Sequence, residues 1–111
     1  MDRVIILNSE TMGHGDPELG KILMGVMLRK LWARERKPDA VIFYNSAVKL
    51  MAEGSEVLDA LSGLWEAGVD ILACGTCIDK YRLNASVKVG RVSGMDEILS
   101  LIMEAESVIT I

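Results

Sequence analysis

Cationic excess, long apolar runs, histidine, proline and aromatic side chains are all scarce in this 111-residue chain. Twelve Lys and Arg against sixteen Asp and Glu leave a net charge of −4. With no basic face to neutralise phosphates, nucleic-acid binding is not expected. The most extended uncharged run, around residues 41–48, falls far short of the ~20 apolar residues that cross a bilayer, so no membrane helix is expected. Trp32, Trp65 and Tyr81 are too dispersed to form a stacking stripe. One histidine, His14, and two cysteines cannot supply the four ligands of a structural zinc site, and neither a metal nor a cofactor is expected. Residues 1–4 enter an apolar run without a basic leader or a small-residue cleavage site, and a cytoplasmic setting is the expectation. There is no internal repeat, low-complexity tract or linker.

What is present is ordinary globular material. Half the residues are hydrophobic and a quarter charged, which suits one domain over residues 1–111 with enough core to fold without a disulfide or metal. Residues 3–8 contain V-I-I-L, a β-branched run suited to a strand buried on both faces. A polar connector, residues 9–16, leads to Pro17, with Asp16 placed to cap a helix. Leu19, Ile22, Leu23, Val26, Met27, Lys30 and Leu31 then recur at helical spacing, predicting an amphipathic helix that ends near Arg34. Further strands are expected over residues 40–44, 69–73, 86–92 and 107–111. Helices are expected over residues 55–68, 78–83 and 95–105, with a short helical turn over 47–51. Met24, Met27, Met51, Met95 and Met103 fall on apolar faces and are expected in the core. Alternating strands and helices with long connections predict an α/β fold, a mainly parallel sheet with helices on both faces.

Ligands of an open parallel sheet bind beyond the carboxyl ends of its strands. Three polar connectors fall there: residues 8–16, Asn45-Ser46, and Cys74-Gly75-Thr76-Cys77. A cysteine where a strand turns into a helix meets unsatisfied amide donors that favour its thiolate. A second thiol three residues on lies about one helical turn away, where it can resolve a persulfide or mixed disulfide. The alternative is that both cysteines are small buried hydrophobes. A thioredoxin site is a poor match, because no proline follows Pro38 to face the dithiol. Gly13-His14-Gly15 lacks the rest of a nucleotide fingerprint, and its glycines suit a tight turn. His14 is either a proton shuttle or a surface residue of that turn. Asn8, Asn45 and Ser46 are turn formers that could also offer neutral donors to a ligand. Arg29, Lys30, Arg34, Arg36 and Lys37 crowd one helix end, where they either answer the helix dipole or dock an acidic partner.

Four blocks in order, L-N-S-E-T-M-G-H-G-D-P-E-L-G, I-F-Y-N-S-A-V-K-L, E-G-S-E-V-L and C-G-T-C-I-D-K-Y-R-L, resemble the DsrE/DsrF/TusD-like family. The resemblance is to the C-terminal domain of YedF-type proteins, linked to sulfur transfer and selenium metabolism, and it spans residues 4–111. It implies a three-layer α/β/α domain with a five-stranded sheet and assembly into trimers or hexamers. It also implies a sulfur-carrying cysteine after the third strand, the position of Cys74, and a second thiol at Cys77, as in the YedF-like subgroup. Asn8, Ser9, Met12, Asn45, Ser46, Gly75 and Thr76 would line the substrate site. YedF-type proteins usually carry an N-terminal TusA-like domain that these residues do not include, so a TusA-like donor or acceptor is expected on another chain. Two functions follow: a sulfur or selenium relay through a Cys74 persulfide, or a non-catalytic oligomeric module that docks a small anion or a partner protein.

Overall fold

The computed structural model describes residues 2–111. Five strands form a wholly parallel sheet: β1 (Arg3–Leu7), β2 (Ala40–Phe43), β3 (Asp70–Cys74), β4 (Arg91–Ser93) and β5 (Ser107–Thr110), in the order β4-β3-β2-β1-β5. The helices are α1 (Pro17–Ala33), α2 (Leu58–Glu66), α3 (Gly75–Lys80) and α4 (Met95–Glu104), with a 3₁₀ helix at Asn45–Met51.

Strand order dictates the layers. From β1 to β4 each new strand is added on the same side of the last, and right-handed crossovers keep those helices on one face. The step from β4 to β5 runs back across the sheet, so α4 lands on the other face. Strand side chains alternate accordingly. Ile5, Leu7, Val41, Phe43, Ile71 and Ala73 pack with α1, α2 and the 3₁₀ helix. Val4, Ile6, Ala40, Ile42, Leu72 and Cys74 pack with Ile98 of α4. The result is a three-layer α/β/α domain whose central strands are apolar on both sides, as buried parallel strands must be.

The apolar stripe of α1 is a correction to the sequence reading. Gly20, Met24, Gly25 and Leu28 are the buried residues of α1, while Leu19, Ile22, Leu23 and Val26 are 42–57% exposed. A glycine is needed on the inner face: a Cβ on Gly20 would lie 2.7 Å from Cβ of Thr11 in the preceding loop. The helix is therefore apolar on its outer face as well as its inner one. Likewise Met24 and Met51 are core residues, but Met95 and Met103 are exposed, because α4 buries only Ile98 fully. Within the basic cluster, Arg29 is spent on the neighbouring helix, donating to the Glu56 carbonyl at 2.9 Å and pairing with Asp59.

The fourth strand is also shorter than the expected 86–92. Glu53 N–H donates to the Ser86 carbonyl and Lys88 N–H to the Met51 carbonyl, both at 2.8 Å, so residues 86–88 pair with residues 51–53. Gly90, at φ 86°, then turns the chain into β4. Two helices begin elsewhere than expected: α2 at Leu58 rather than Ser55, and α3 at Gly75 rather than Ile78. Arg91 fixes the edge strand, forking onto Asp70 at 2.8–2.9 Å and Glu97 at 2.7–2.9 Å. The ion pair holds the Glu97 carboxyl down at about 2.

Gly90 is the tightest point of that turn, since a Cβ there would meet the Ile71 carbonyl oxygen at 2.6 Å and Cγ2 of Ile71 at 2.8 Å. Gly90→Ala adds left-handed strain to that clash and is expected to cost about 3 kcal/mol of stability, read as a lower urea midpoint. An unchanged midpoint would show that β4 does not depend on this approach.

Candidate functional site: a thiol pair at the end of β3

The chain leaves β3 and β4 toward opposite faces. From β3 it enters α3, whose Ile78 joins the α1–α2 side, and from β4 it enters α4 on the other side. Neighbouring strands whose outgoing connections diverge open a crevice at their carboxyl ends. Cys74 and Ser93 are register partners at that point. Gly75 opens α3 beside β4, where a Cβ would make ordinary contact with the Ser93 carbonyl oxygen at 3.4 Å.

Cys74 is both the last residue of β3 and the N-cap of α3, at φ −68° and ψ 124°. Its side chain follows the strand's alternation onto the α4 face and is 4% exposed. Cys77 lies one turn along α3, half-buried, and touches both core clusters. Both thiols are free.

The two sulfurs are electrically unlike. Burial pushes the Cys74 thiol up, but it is outweighed by the amides of Cys77 and Thr76 and by the Cys77 thiol and Thr76 hydroxyl. These groups crowd the sulfur without forming a full capping hydrogen bond, and the net shift is downward. Burial also pushes Cys77 up; the N–H of Asn45, donating to its sulfur at 3.1 Å, only partly offsets this, and the adjacent Cys74 sulfur adds to the rise. Cys74 is thus the member that ionises first and Cys77 the member that stays protonated. Tyr44, at the end of β2, is held protonated by burial and by the two sulfurs beside it.

The connectors named from the sequence meet around this end of the sheet, with differing roles. Ser46 Oγ accepts from the Glu10 N–H at 3.0 Å, joining the loops after β1 and β2. Ser9 Oγ accepts from the Thr11 N–H at 3.2 Å. Met12 donates its N–H to the Gly20 carbonyl at 3.0 Å and packs into the core. Asn8, Asn45 and Thr76 are exposed, as is His14 on the β1–α1 turn. Three residues escaped the sequence reading. Tyr81 donates its hydroxyl to Asn45 Oδ1 at 2.7 Å, Lys49 lies 4.6 Å from the Tyr81 ring centroid, and Glu10 pairs with Lys49 at 3.9 Å. Tyr81 follows Cys77 by four residues, a spacing that places it on the same side of a helix. A groove of about 380 Å³ opens beside Lys49 and Glu10, floored by Met24, Leu50, Val57 and Leu83; the two cysteines do not line it.

The profile of the DsrE/DsrF-like family matches residues 22–111. Among solved structures, the ychN protein from E. coli is similar at a TM-score of 0.74 and 17% identity, covering 100% of both chains. A protein of unknown function, MTH1491 from Methanobacterium thermoautotrophicum, is similar at 0.71 and 22%, again covering 100% of both chains. Another, BT1422 from Bacteroides thetaiotaomicron, is similar at 0.65 and 18%, covering 99% of this chain and 95% of that one. At these identities the likenesses show the fold. No curated protein matches the chain. Among the described residues, no helix is long and apolar enough to cross a membrane.

The unequal thiols have a kinetic consequence. Against an uncharged alkylating reagent the pH midpoint for Cys74 is expected below the ordinary 9.0 of a thiol and that for Cys77 above it. Peptide-resolved mass spectrometry after timed alkylation reads both, and coincident midpoints would contradict the assignment.

Proposed function

The chain belongs to the DsrE/DsrF-like family, a membership that points to a sulfur-related role, and from that premise we propose a sulfane-sulfur relay carried by Cys74. The observation that supports this most is the placement of Cys74 as both the last residue of β3 and the residue before α3, with Cys77 one turn along that helix; a Cys74 thiol drawn down beside a Cys77 thiol pushed up agrees with it. The thiolate of Cys74 attacks the outer sulfur of a donor persulfide. A Cys74 sulfur–sulfur bond forms, the donor's own sulfur–sulfur bond breaks, and the donor leaves as a thiolate. No net oxidation occurs. A lowered thiol pKa also makes Cys74 a good leaving group in the second half of the relay. There the Cys77 thiolate or an acceptor thiol attacks the outer sulfur and restores the Cys74 thiolate. Zero-valent selenium can take the place of that sulfur, since the attacking thiolate is the same. The pair of cysteines favours the YedF-type branch of the family and a TusA-like partner as donor or acceptor. A cytoplasmic setting suits thiols that must stay reduced.

Intact-mass spectrometry after incubation with a persulfide donor tests the relay. One added sulfur mass is expected on the native chain, divided between Cys74 and Cys77 by peptide mass, none on Cys74→Ser, and an adduct of the same mass confined to Cys74 on Cys77→Ser. Equal loading of the native chain and Cys74→Ser would sink the proposal in favour of a docking module.

Assembly is the second part of this reading. A helix apolar around most of its circumference is ordinarily buried, and the exposed Leu19, Ile22, Leu23 and Val26 form one continuous stripe at i, i+3, i+4 and i+7. Another copy of this chain is the occupant that suits it, in a trimer or hexamer. Ile22→Lys with Val26→Lys should convert the assembly to monomers in sedimentation without loss of helical circular dichroism. A native chain that sediments as a monomer would refute it.

A further inference from the structure

Asn45 is one of two non-glycine residues with positive φ among those described, at 48°. Asparagine tolerates the left-handed region better than most side chains, yet the conformation still has to be held. Two bonds define it. The Asn45 N–H donates to Cys77 Sγ at 3.1 Å, and Asn45 Oδ1 accepts the Tyr81 hydroxyl at 2.7 Å. Tyr81 caps the carboxyl end of α3, one turn beyond Cys77, and the Lys49 ammonium sits against its ring. The loop after β2 is thus clamped onto α3 at two points, one of them a sulfur of the thiol pair.

We infer that Asn45 and Tyr81 are positioning residues for the pair: the Asn45 N–H occupies the acceptor side of the Cys77 sulfur, Tyr81 holds Asn45 in place through its side chain, and the S–H of Cys77 is so left to face Cys74. A thiol has one proton and two lone pairs. With a lone pair taken by the Asn45 amide on the 45–51 side, the proton is directed across the helix turn, toward the sulfur that must carry charge. If the clamp opens, Cys77 is free to turn about χ1 and its proton no longer supports the neighbouring thiolate. This inference rests on the reading of Cys74 as the carrier. The groups facing the pair from other elements are few. Tyr44 comes from β2 and stays protonated, Lys49 comes from the 3₁₀ helix behind Tyr81, and α4 presents Ile98, Leu101 and Ile102. Across the thiol range the expected change is therefore that of the pair itself.

The experiment is the pH midpoint of Cys74 alkylation, resolved by peptide mass, in the native chain and in Asn45→Ala, Asn45→Gly and Tyr81→Phe, with the Tm of each recorded. Asn45→Ala disfavours the positive φ that aims the N–H, and should raise the Cys74 midpoint by about half a pH unit, roughly threefold less thiolate on the acid side. Asn45→Gly and Tyr81→Phe lose the side-chain anchor but leave the N–H able to reach Cys77, and should raise it by about half as much. An unmoved midpoint in Asn45→Ala and Tyr81→Phe, whatever the Tm, would overturn the inference, as would equal shifts in Ala and Gly. Persulfide loading of the native chain is a separate readout. Its failure would remove the relay and leave the clamp standing, whereas unmoved midpoints with normal loading would remove the clamp alone.

Discussion

Two environments compete for the sulfur of Cys74. As the last residue of a central parallel strand it is pulled into the apolar layer under α4, where a charge is disfavoured. As the residue before α3 it faces amides and hydrogen-bonding side chains that favour the charge. The second influence prevails, and it does so because the helix begins at the very next residue, Gly75. Had α3 started three residues later, Cys74 would be an ordinary buried thiol and Cys77 the capping one.

That local junction depends on the sheet around it. Cys74 stands at a switch point of the sheet because the outgoing connections of β3 and β4 separate. β4 lies close enough to β3 only because Gly90 turns without a side chain, and because Arg91 ties the edge strand to Asp70 and Glu97. The hydrogen bonds of residues 86–88 to residues 51–53 hold the entry to β4 beside the 3₁₀ helix. That helix carries Asn45 to Cys77 and Lys49 to Tyr81. The site is assembled from the ends of β2, β3 and β4 together, so its geometry is a property of the whole parallel layer.

Much of this was legible in the residues. V-I-I-L and A-V-I-F-Y read as buried strands because parallel strands leave no polar alternation, residues 69–73 read as a third strand one residue ahead of the observed Asp70–Cys74, and C-G-T-C announced the junction by its place after that strand. Other features were not legible, for physical reasons. Periodicity brings out the apolar stripe of Leu19, Ile22, Leu23 and Val26 but not what covers it; the inner face of α1 is formed by Gly20, Gly25 and Leu28 together with Met24, which was expected in the core. The alternation of residues 86–92 is the same whether the partner is β3 or the 51–53 segment, and only tertiary pairing divides it. Asn45 looked like a turn former offering donors to a ligand. Its backbone conformation and its bond to Tyr81 arise from contacts 32 and 36 residues away, which no local pattern encodes.

The most direct test of the central claim is a titration of thiolate ultraviolet absorbance on the reduced native chain, on Cys74→Ala and on Cys77→Ala. Two steps are expected in the native chain, the first below pH 9 and absent from Cys74→Ala. A first step that survives in Cys74→Ala, or a single step at the ordinary thiol value, would contradict the account.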